Sequence, residues 1–449
     1  MKLTVFQSEK GDCLLLTGAD GRHVLVDGGM RASYTGHVAP VLGQLREDGG
    51  VLDVVYVSHI DQDHISGVLQ MMDDEVDWRI HDYQVKNGNP GHKEPGSPRP
   101  PKVKAIWHNS FHDQIEKNAG EIEEMLAASA AVLSGSENPV VKALASAENE
   151  LVTSIAESIK LTLRVSPDQL GIKLNQPAKG KLMLVRPAAS PAIRVGGMRF
   201  HIIGPFSADL KKLRQEWNKW LEDNKSQLRT IRTQAGKDEA RFGTRELDDI
   251  LLPKLAQAEQ LSELLPLDEI AASSKLGERG KVTTPNLASL MFFVEEKGRT
   301  LLLTGDGHHE DILHGLRRIK KLKGTEGIHV NVLKVQHHGS EHNIDEAFCR
   351  TVTADHYIFC GNGEHDNPDL RVIQAIADSR IGAGAQLSAN PQVGDSFKFW
   401  INSSSTASKK AEAREHMKEV EKLVRKLSNK SNGQMSFFFL KGSSFEIPI

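Results

Sequence analysis

Cysteines and long apolar runs are both scarce in this 449-residue sequence. Three widely separated cysteines, Cys13, Cys349 and Cys360, cannot supply a disulfide framework or a Cys-x-x-Cys metal site, so we expect them to be small core residues in a reducing compartment. No apolar run approaches the ~20 residues that cross a bilayer, which predicts no membrane association. Met1–Val5 leads into a strand-like pattern without a secretory signal, so we expect a cytoplasmic protein.

The sequence also lacks a strong charge of either sign, because its formal net charge is only −3. A chain of this kind has no global attraction for nucleic acid, and any polyanion would need a local basic face. Basic runs at Lys211–Arg214 and Lys225–Arg232 could follow a phosphate backbone. Acidic residues lie between them, however, and a solvated helix face explains the same pattern.

Short apolar runs of strand type alternate with segments of helical spacing over residues 2–85 and again over residues 286–360, which predicts a layered α/β domain. We predict a discontinuous core formed by residues 1–112 and 280–400. Residues 113–280 are predicted to be mainly helical insertions, with core strands near residues 181–205. Residues 401–449 are predicted to hold a charged helix, Ser408–Lys430, and a final strand, Met435–Leu440.

The segment His59–His64 carries the clearest chemical signal, since four potential metal ligands lie within six residues directly after the apolar run Val54–Val57. The carboxyl ends of strands are where open α/β sheets place their sites. Imidazole and carboxylate groups are the nitrogen and oxygen donors that zinc, manganese and iron accept. Taken alone, this segment could also be an N-capped helix with solvated polar residues, or the site of a single structural ion. Asp63 could cap a helix that starts at Ile65.

Three more polar clusters follow apolar runs in the same way. Asp27 follows His23–Val26, Asp306 follows Thr300–Thr304, and the pair His337 and His338 follows Val330–Gln336. One such junction could be ordinary turn chemistry, and for Asp27 a structural hydrogen-bonding role is favoured. Four of them in one chain indicate a shared site.

These motifs, in this order, resemble the metallo-β-lactamase superfamily, and most closely its branch related to the hydrolase domain of the competence protein ComEC. The resemblance covers roughly residues 1–112 and 280–400. It rests on Asp27–Gly29, Ser58–Gly67, Leu303–Asp306 and Lys334–Ser340, with further similarity at Glu9–Leu14, Asn286–Leu290 and Asn362–His365. The fold that it implies is an αββα sandwich, in which two mixed β-sheets are flanked by helices, here with helical insertions.

The resemblance also implies two divalent metal ions, Zn²⁺ or Mn²⁺, and assigns their ligands. One ion would be held by His59 and Asp61 and the other by Asp63 and His64. Asp306 would bridge the two ions. Either member of the His337–His338 pair would complete the ligand set of the second ion. His338 is favoured because the family's histidine usually directly precedes the glycine.

The sequence departs from the superfamily pattern at two points. Asp61 stands where many members have a histidine, as in ComEC-like members, which makes the site more tolerant of manganese. The separate histidine of a middle strand is not evident either. His108 could replace it, contact substrate or be a surface or core histidine that follows a strand. His365 could face substrate, act as an acid or be a loop histidine. Asp27 would support the ligand loop without binding a metal ion itself.

The implied activity is metal-dependent hydrolysis by a metal-bridging hydroxide that Asp63 and Asp306 orient, with nucleic acid or a nucleotide as substrate of a phosphodiesterase or nuclease. Two alternatives stay open at this point. One is a hydrolase of small esters or lactones with the same fold. The other is a component of a larger assembly, for example in defence, that docks a protein partner through the helical insertions.

Overall fold

The fold was analysed in a computed structural model that describes residues 1–109, 150–186, 191–212, 276–277, 279, 286 and 288–449. Its described part consists of two mixed β-sheets packed face to face, with helices on the outer face of each sheet. This is the αββα arrangement that the sequence predicts. No helix of the described ranges has the length and apolar character needed to cross a membrane.

The first sheet contains seven strands in the order β15-β1-β2-β3-β4-β5-β6. Its first four strands are antiparallel neighbours, whereas β3, β4, β5 and β6 run parallel. The parallel strands therefore present their carboxyl ends at one edge of the sheet. The strands are β1 Lys2–Phe6, β2 Leu14–Thr17, β3 His23–Val26, β4 Val54–Tyr56, β5 Ala105–Trp107, β6 Lys173–Leu174 and β15 Ser444–Pro448.

The second sheet contains eight strands in the order β14-β13-β12-β11-β10-β9-β8-β7. Strands β7 to β10 are antiparallel, and β10 to β14 run parallel. Lys297 and Gly298, both with positive φ, form the tight turn between β9 and β10. The strands are β7 Ile193–Val195, β8 Met198–Gly204, β9 Met291–Glu296, β10 Arg299–Leu303, β11 Ile328–Lys334, β12 Val352–Phe359, β13 Phe397–Ile401 and β14 Met435–Phe439.

Three apolar layers hold the sandwich together. The middle layer lies between the sheets, where the aromatic rings of Tyr56, Trp107, Phe200 and Phe292 pack edge to face or tilted. The two outer layers bury one apolar stripe of each helix against a sheet. The helices are α1 Arg31–Ser33, α2 Ala39–Glu47, α3 Gln62–Lys86, α4 Glu150–Val165, α5 His309–Arg318, α6 Glu346–Thr351, α7 Leu370–Ile381 and α8 Ala411–Lys430, with a π-helical segment, Tyr34–Val38, between α1 and α2.

Several expectations need correction. Helix α3 begins at Gln62 after Asp61, and no side chain caps it, so Asp63 lies in its first turn and is not its cap. The sequence predicts core strands near residues 181–205, the first of them at Lys181–Arg186. In that segment only Val185 makes a β-bridge, an isolated one to Phe206, so the segment is not a continuous strand. Most of the predicted insertions, including residues 213–275 and the basic run Lys225–Arg232, lie outside the described residues.

The C-terminal segment contributes to both sheets. The charged helix begins at Ala411, three residues after the predicted start, and β14 follows it. Strand β14 is not the final strand, since β15 comes after it and pairs with β1 along its whole length. The two last strands therefore close one edge of each sheet, an outcome that local sequence patterns do not specify.

Candidate metal centre

The parallel halves of both sheets end at one common place. Asp27 directly follows β3, and His108 directly follows β5. In the other sheet, Asp306 lies three residues after the end of β10 and the pair His337 and His338 lies three and four residues after the end of β11. Because neighbouring parallel strands end at the same edge, loops far apart in the chain meet there.

The carboxylate of Asp306 lies at the centre of this cluster, and four imidazoles face it. Its Oδ2 atom is 3.3 Å from Nε2 of His64 and 3.4 Å from Nε2 of His338. The Nε2 atoms of His59 and His337 each lie 3.8 Å from the same oxygen. A cation near Asp306 would be within reach of all four rings.

Two further carboxylates divide the cluster into two groups. The Oδ2 atom of Asp61 is 3.4 Å from Nε2 of His59. The Oδ2 atom of Asp63 lies on the other side, 3.2 Å from Nε2 of His338 and 3.9 Å from Nε2 of His64. Asp306 is shared by both groups. The structure thus brings these predicted ligand residues together, and the ion that each of them would hold stays a prediction.

Each of these rings has its other nitrogen, Nδ1, in contact with a second residue. Such contacts fix the tautomer and orientation of a metal-binding histidine and leave Nε2 available. The partner atoms are Ser58 Oγ at 3.0 Å for His59, Asp27 Oδ2 at 3.0 Å for His64, Asn343 Oδ1 at 2.7 Å for His337 and Asp12 Oδ1 at 3.2 Å for His338. The first three contacts are hydrogen bonds, whereas the fourth is within hydrogen-bonding distance but not linear.

Among the described residues, three inner nitrogen atoms of the cluster have no hydrogen-bond partner. They are Nε2 of His59, His64 and His338, and all three side chains are buried. Buried polar atoms are nearly always hydrogen-bonded, and leaving one without a partner costs about 1–3 kcal/mol. Unpartnered imidazole nitrogens that converge on one carboxylate fit a divalent cation.

The charges of the cluster support the same interpretation. Burial opposes ionisation of Asp306, but His338, His64 and His337 outweigh it and hold the pKa of this carboxyl well below its usual range. Burial likewise disfavours the charged form of His64, but the carboxylates of Asp306 and Asp63 raise its pKa well above the usual value. The buried carboxylates are therefore stabilised by nearby positive charge, which either protons on the imidazoles or bound cations can supply.

Backbone contacts bring the loops together. Asp27, at φ 55°, accepts hydrogen bonds from the backbone N–H of Ser58 at 2.7 Å and from its hydroxyl at 2.8 Å. The N–H of Leu290 donates to the carbonyl oxygen of Ser58 at 2.7 Å and so ties the first sheet to the second. A Cβ on Gly67 would lie 2.0 Å from the carbonyl oxygen of Gly28, so only glycine permits this approach of α3 to the Asp27 loop.

A comparison with protein families agrees with this geometry. Residues 9–124 match the model of the metallo-beta-lactamase superfamily. The matched segment covers about a quarter of the chain and includes Asp27, the His59–His64 loop and His108, whereas Asp306 and His338 lie beyond it. No curated protein matches the chain. The match and the buried His/Asp cluster together indicate a metal-dependent hydrolase fold; the ComEC-like branch stays a prediction.

Two of the predicted site residues lie further from the cluster centre. His108 is buried, its Nε2 is 3.3 Å from Ser158 Oγ, and its Nδ1 has no hydrogen-bond partner among the described residues. Burial, with a smaller effect of nearby His59, lowers its pKa to about 3. His365 is exposed, in the turn Glu364–Asp366, and among the described residues it makes no hydrogen bond or ion pair with the cluster. Its role stays a prediction.

Sequence reasoning did not assign roles to Asp12, Lys334 or Asn343, which the structure places in the cluster. Asn343 Nδ2 donates to the carbonyl oxygen of Asp306 at 2.8 Å while its Oδ1 holds His337. Lys334 is 1% exposed and forms an ion pair with Asp12, which is also buried. A lysine within the apolar run of β11 was the available signal, because buried lysines are rare unless paired.

Proposed function

We propose that this protein is a metal-dependent hydrolase that cleaves phosphodiesters with two divalent cations, Zn²⁺ or Mn²⁺, at the Asp306 cluster. One observation carries the proposal. The imidazoles of His59, His64 and His338 contact a second residue through Nδ1 and direct Nε2, which has no hydrogen-bond partner among the described residues, toward the carboxylate of Asp306. Metal ligation accounts for this common orientation, whereas Nε2 of His337 also contacts Nδ2 of Asn286 at 3.3 Å.

The cations would be shared between the two groups of the cluster. His59 and Asp61 would hold the first, and Asp63, His64 and His338 would hold the second, with Asp306 between them. His108 would complete the first group. Its imidazole is neutral at physiological pH because burial lowers its pKa to about 3, and its Nδ1 has no hydrogen-bond partner in the part of the chain that the structure describes. A neutral imidazole is the form that binds a cation.

When bound, a pair of divalent cations would lower the pKa of water and stabilise negative charge on the attacking and leaving oxygens. The protein contributes access and orientation. The side chains of Asp61 and His337 are 29% and 26% exposed, whereas those of Asp306 and His64 are 3% and 0% exposed. Substrate therefore reaches the cluster from the side of Asp61 and His337.

Three features support a phosphodiester as the substrate. The donor set is rich in carboxylates, with Asp61 in place of a histidine, and hard oxygen donors suit Mn²⁺ and phosphate chemistry. Burial opposes ionisation of Asp63, but His64 and His338 lower its pKa, and Lys10 adds a smaller effect in the same direction. The positively charged side chain of Lys10 therefore lies near the cluster. The resemblance to the ComEC-like branch points to nuclease or phosphodiesterase activity as well.

The experiment is a cleavage assay on metal-free protein reloaded with Zn²⁺ or Mn²⁺. Substrates are bis-p-nitrophenyl phosphate, linear DNA, p-nitrophenyl acetate and a simple lactone. The proposal expects metal-dependent turnover of the first two and loss of it in the chelated protein. Turnover of the acyl substrates alone would refute the phosphodiester assignment. Metal-loaded protein without any turnover, recovered with a bound protein partner, would favour the role in a larger assembly.

A further inference from the structure

Lys334 is a fully buried cation directly behind the metal centre. The ammonium forms an ion pair with Asp12, donates to the carbonyl oxygen of Gly305 at 3.2 Å and lies 3.7 Å from Oδ1 of Asp306. Taking an ammonium out of water costs several kcal/mol, so its retention here calls for a role.

Asp12 connects this cation to the ligand cluster. It lies in the loop between β1 and β2, is 1% exposed and turns Oδ2 toward the ammonium of Lys334. Its other oxygen, Oδ1, lies 3.2 Å from Nδ1 of His338. The carboxylate thus stands between a fixed cation and a metal-binding ring.

Two roles for Asp12 are compatible with its position. Asp12, His64, Asp306 and His338 offer ligand atoms that all lie within 4.8 Å of one another, so Asp12 could bind an ion directly. The positions of Asp12 and Asp306 around the His338 ring argue against direct binding of an ion by Asp12. Asp306 lies on the Nε2 side, 3.4 Å away, whereas Asp12 lies on the Nδ1 side and is already engaged by the ammonium of Lys334.

We propose that Asp12 and Lys334 form a positioning pair for His338 and are not metal ligands. With the second cation bound, Asp12 would accept the Nδ1 proton of His338 across the 3.2 Å that separates the two atoms and would direct Nε2 toward that cation, as Asp27 would for His64. Lys334 neutralises Asp12, so that its charge does not compete for the cation, and ties the pair to the Asp306 loop through Gly305. This inference rests on the metal site proposed above and concerns its internal support only.

Two double variants of equal charge test the proposal. In D12N/K334M the buried pair is neutral, but the amide oxygen can still accept from His338. In D12L/K334M the pair is also neutral and similar in size, but no acceptor remains. Zn²⁺ affinity and stoichiometry are measured for both and for the wild-type protein by competition with a chromophoric chelator, after circular dichroism and thermal unfolding confirm the fold.

The proposal expects two ions per chain in both variants at saturation, and an affinity for the weaker ion about 10–100-fold lower in D12L/K334M than in D12N/K334M, the usual cost of losing such a partner. Equal affinities would reduce the pair to a structural role and overturn the proposal. Loss of one ion in both variants would make Asp12 a ligand and overturn it too. If the wild-type protein binds no Zn²⁺, the proposed function fails together with this inference.

A measurement on the wild-type protein keeps the proposal testable if the variants do not fold. A crystal structure of Zn²⁺-loaded protein, with the ions located by anomalous scattering, should show Nε2 of His338 at a bonding distance of about 2.0–2.1 Å from an ion. Asp12 should then contact Nδ1 of His338 and Lys334 and no ion. A bond between Asp12 and an ion would refute the positioning role.

Discussion

Replacement of Asp27 by asparagine should weaken metal binding although Asp27 touches none of the inner atoms of the cluster. Asp27 accepts three hydrogen bonds, of which Oδ2 receives those from the hydroxyl of Ser58 and from Nδ1 of His64. Asparagine has nearly the same size and tolerates the φ of 55° at this position, so the backbone is not a confounding factor.

The expected loss of metal affinity follows from the replacement of one carboxylate oxygen by an amide nitrogen. If the amide oxygen of the introduced asparagine keeps the bond to the N–H of Ser58, the amide NH₂ then faces Nδ1 of His64. The ring must either lose this hydrogen bond to a charged group, at about 1.5–3 kcal/mol, or move its proton to Nε2 and block the ligand atom. Since 1.4 kcal/mol corresponds to about a tenfold change in an equilibrium constant, we expect an affinity about 10–100-fold lower.

The assay is a Zn²⁺ competition titration of D27N beside a matched control, D355N. Asp355 accepts hydrogen bonds from His329 and Asn331 at 3.0 Å each and lies four residues before the carboxyl end of β12. The control should lose stability in thermal unfolding and keep its metal affinity. If D27N binds Zn²⁺ as tightly as the wild type, or if D355N weakens binding equally, the reasoning about ring orientation is refuted.

Three other predictions follow from the structure. The double variant D63A/H64A should lose all metal-dependent turnover of bis-p-nitrophenyl phosphate while its circular dichroism spectrum stays unchanged; retained cleavage would mean that the site is misassigned. Gly67→Ala should lower the free energy of unfolding by about 1–3 kcal/mol, because the new Cβ would lie 2.0 Å from a carbonyl oxygen, whereas Gly91→Ala, with open space around it, should have no effect in the same chemical denaturation experiment. Burial raises the pKa of Glu157 from 4.5 to about 7, so the folded protein binds the extra proton and loses stability as the pH rises from 4.5 to 7. E157Q should remove this loss of about 3 kcal/mol, and parallel pH profiles of the two proteins would contradict the pKa shift.

The sequence was informative about the ligand loops because their chemistry is local. The segment His59–His64 places its donors within one turn after a strand, and Asp306 and His338 follow apolar strands in the same manner. Strand-end placement alone was therefore enough to predict that these residues meet. The alternation of strand and helix patterns predicted a layered α/β domain, and the αββα arrangement followed from the family resemblance.

Residues that act through tertiary contacts were harder to predict. Asp12 lies in a short loop that looks like any polar turn, and its importance depends on Lys334, 322 positions away in the chain, which is a relation that no local pattern contains. Local sequence patterns also do not predict which strands pair at the edges of the sheets. Strand β15 pairs with β1 from the opposite end of the chain, and this pairing is fixed by the closure of the sheet.

The number of ions bound per chain tests the central claim most directly. Wild-type protein and D306A are stripped with a chelator, reloaded with Zn²⁺ or Mn²⁺, freed of excess metal and analysed by inductively coupled plasma mass spectrometry. The account predicts two ions per chain for the wild type and at most one for D306A, because Asp306 is the carboxylate that all four imidazoles face. Wild-type protein that retains no metal, or D306A that retains both ions, would contradict it.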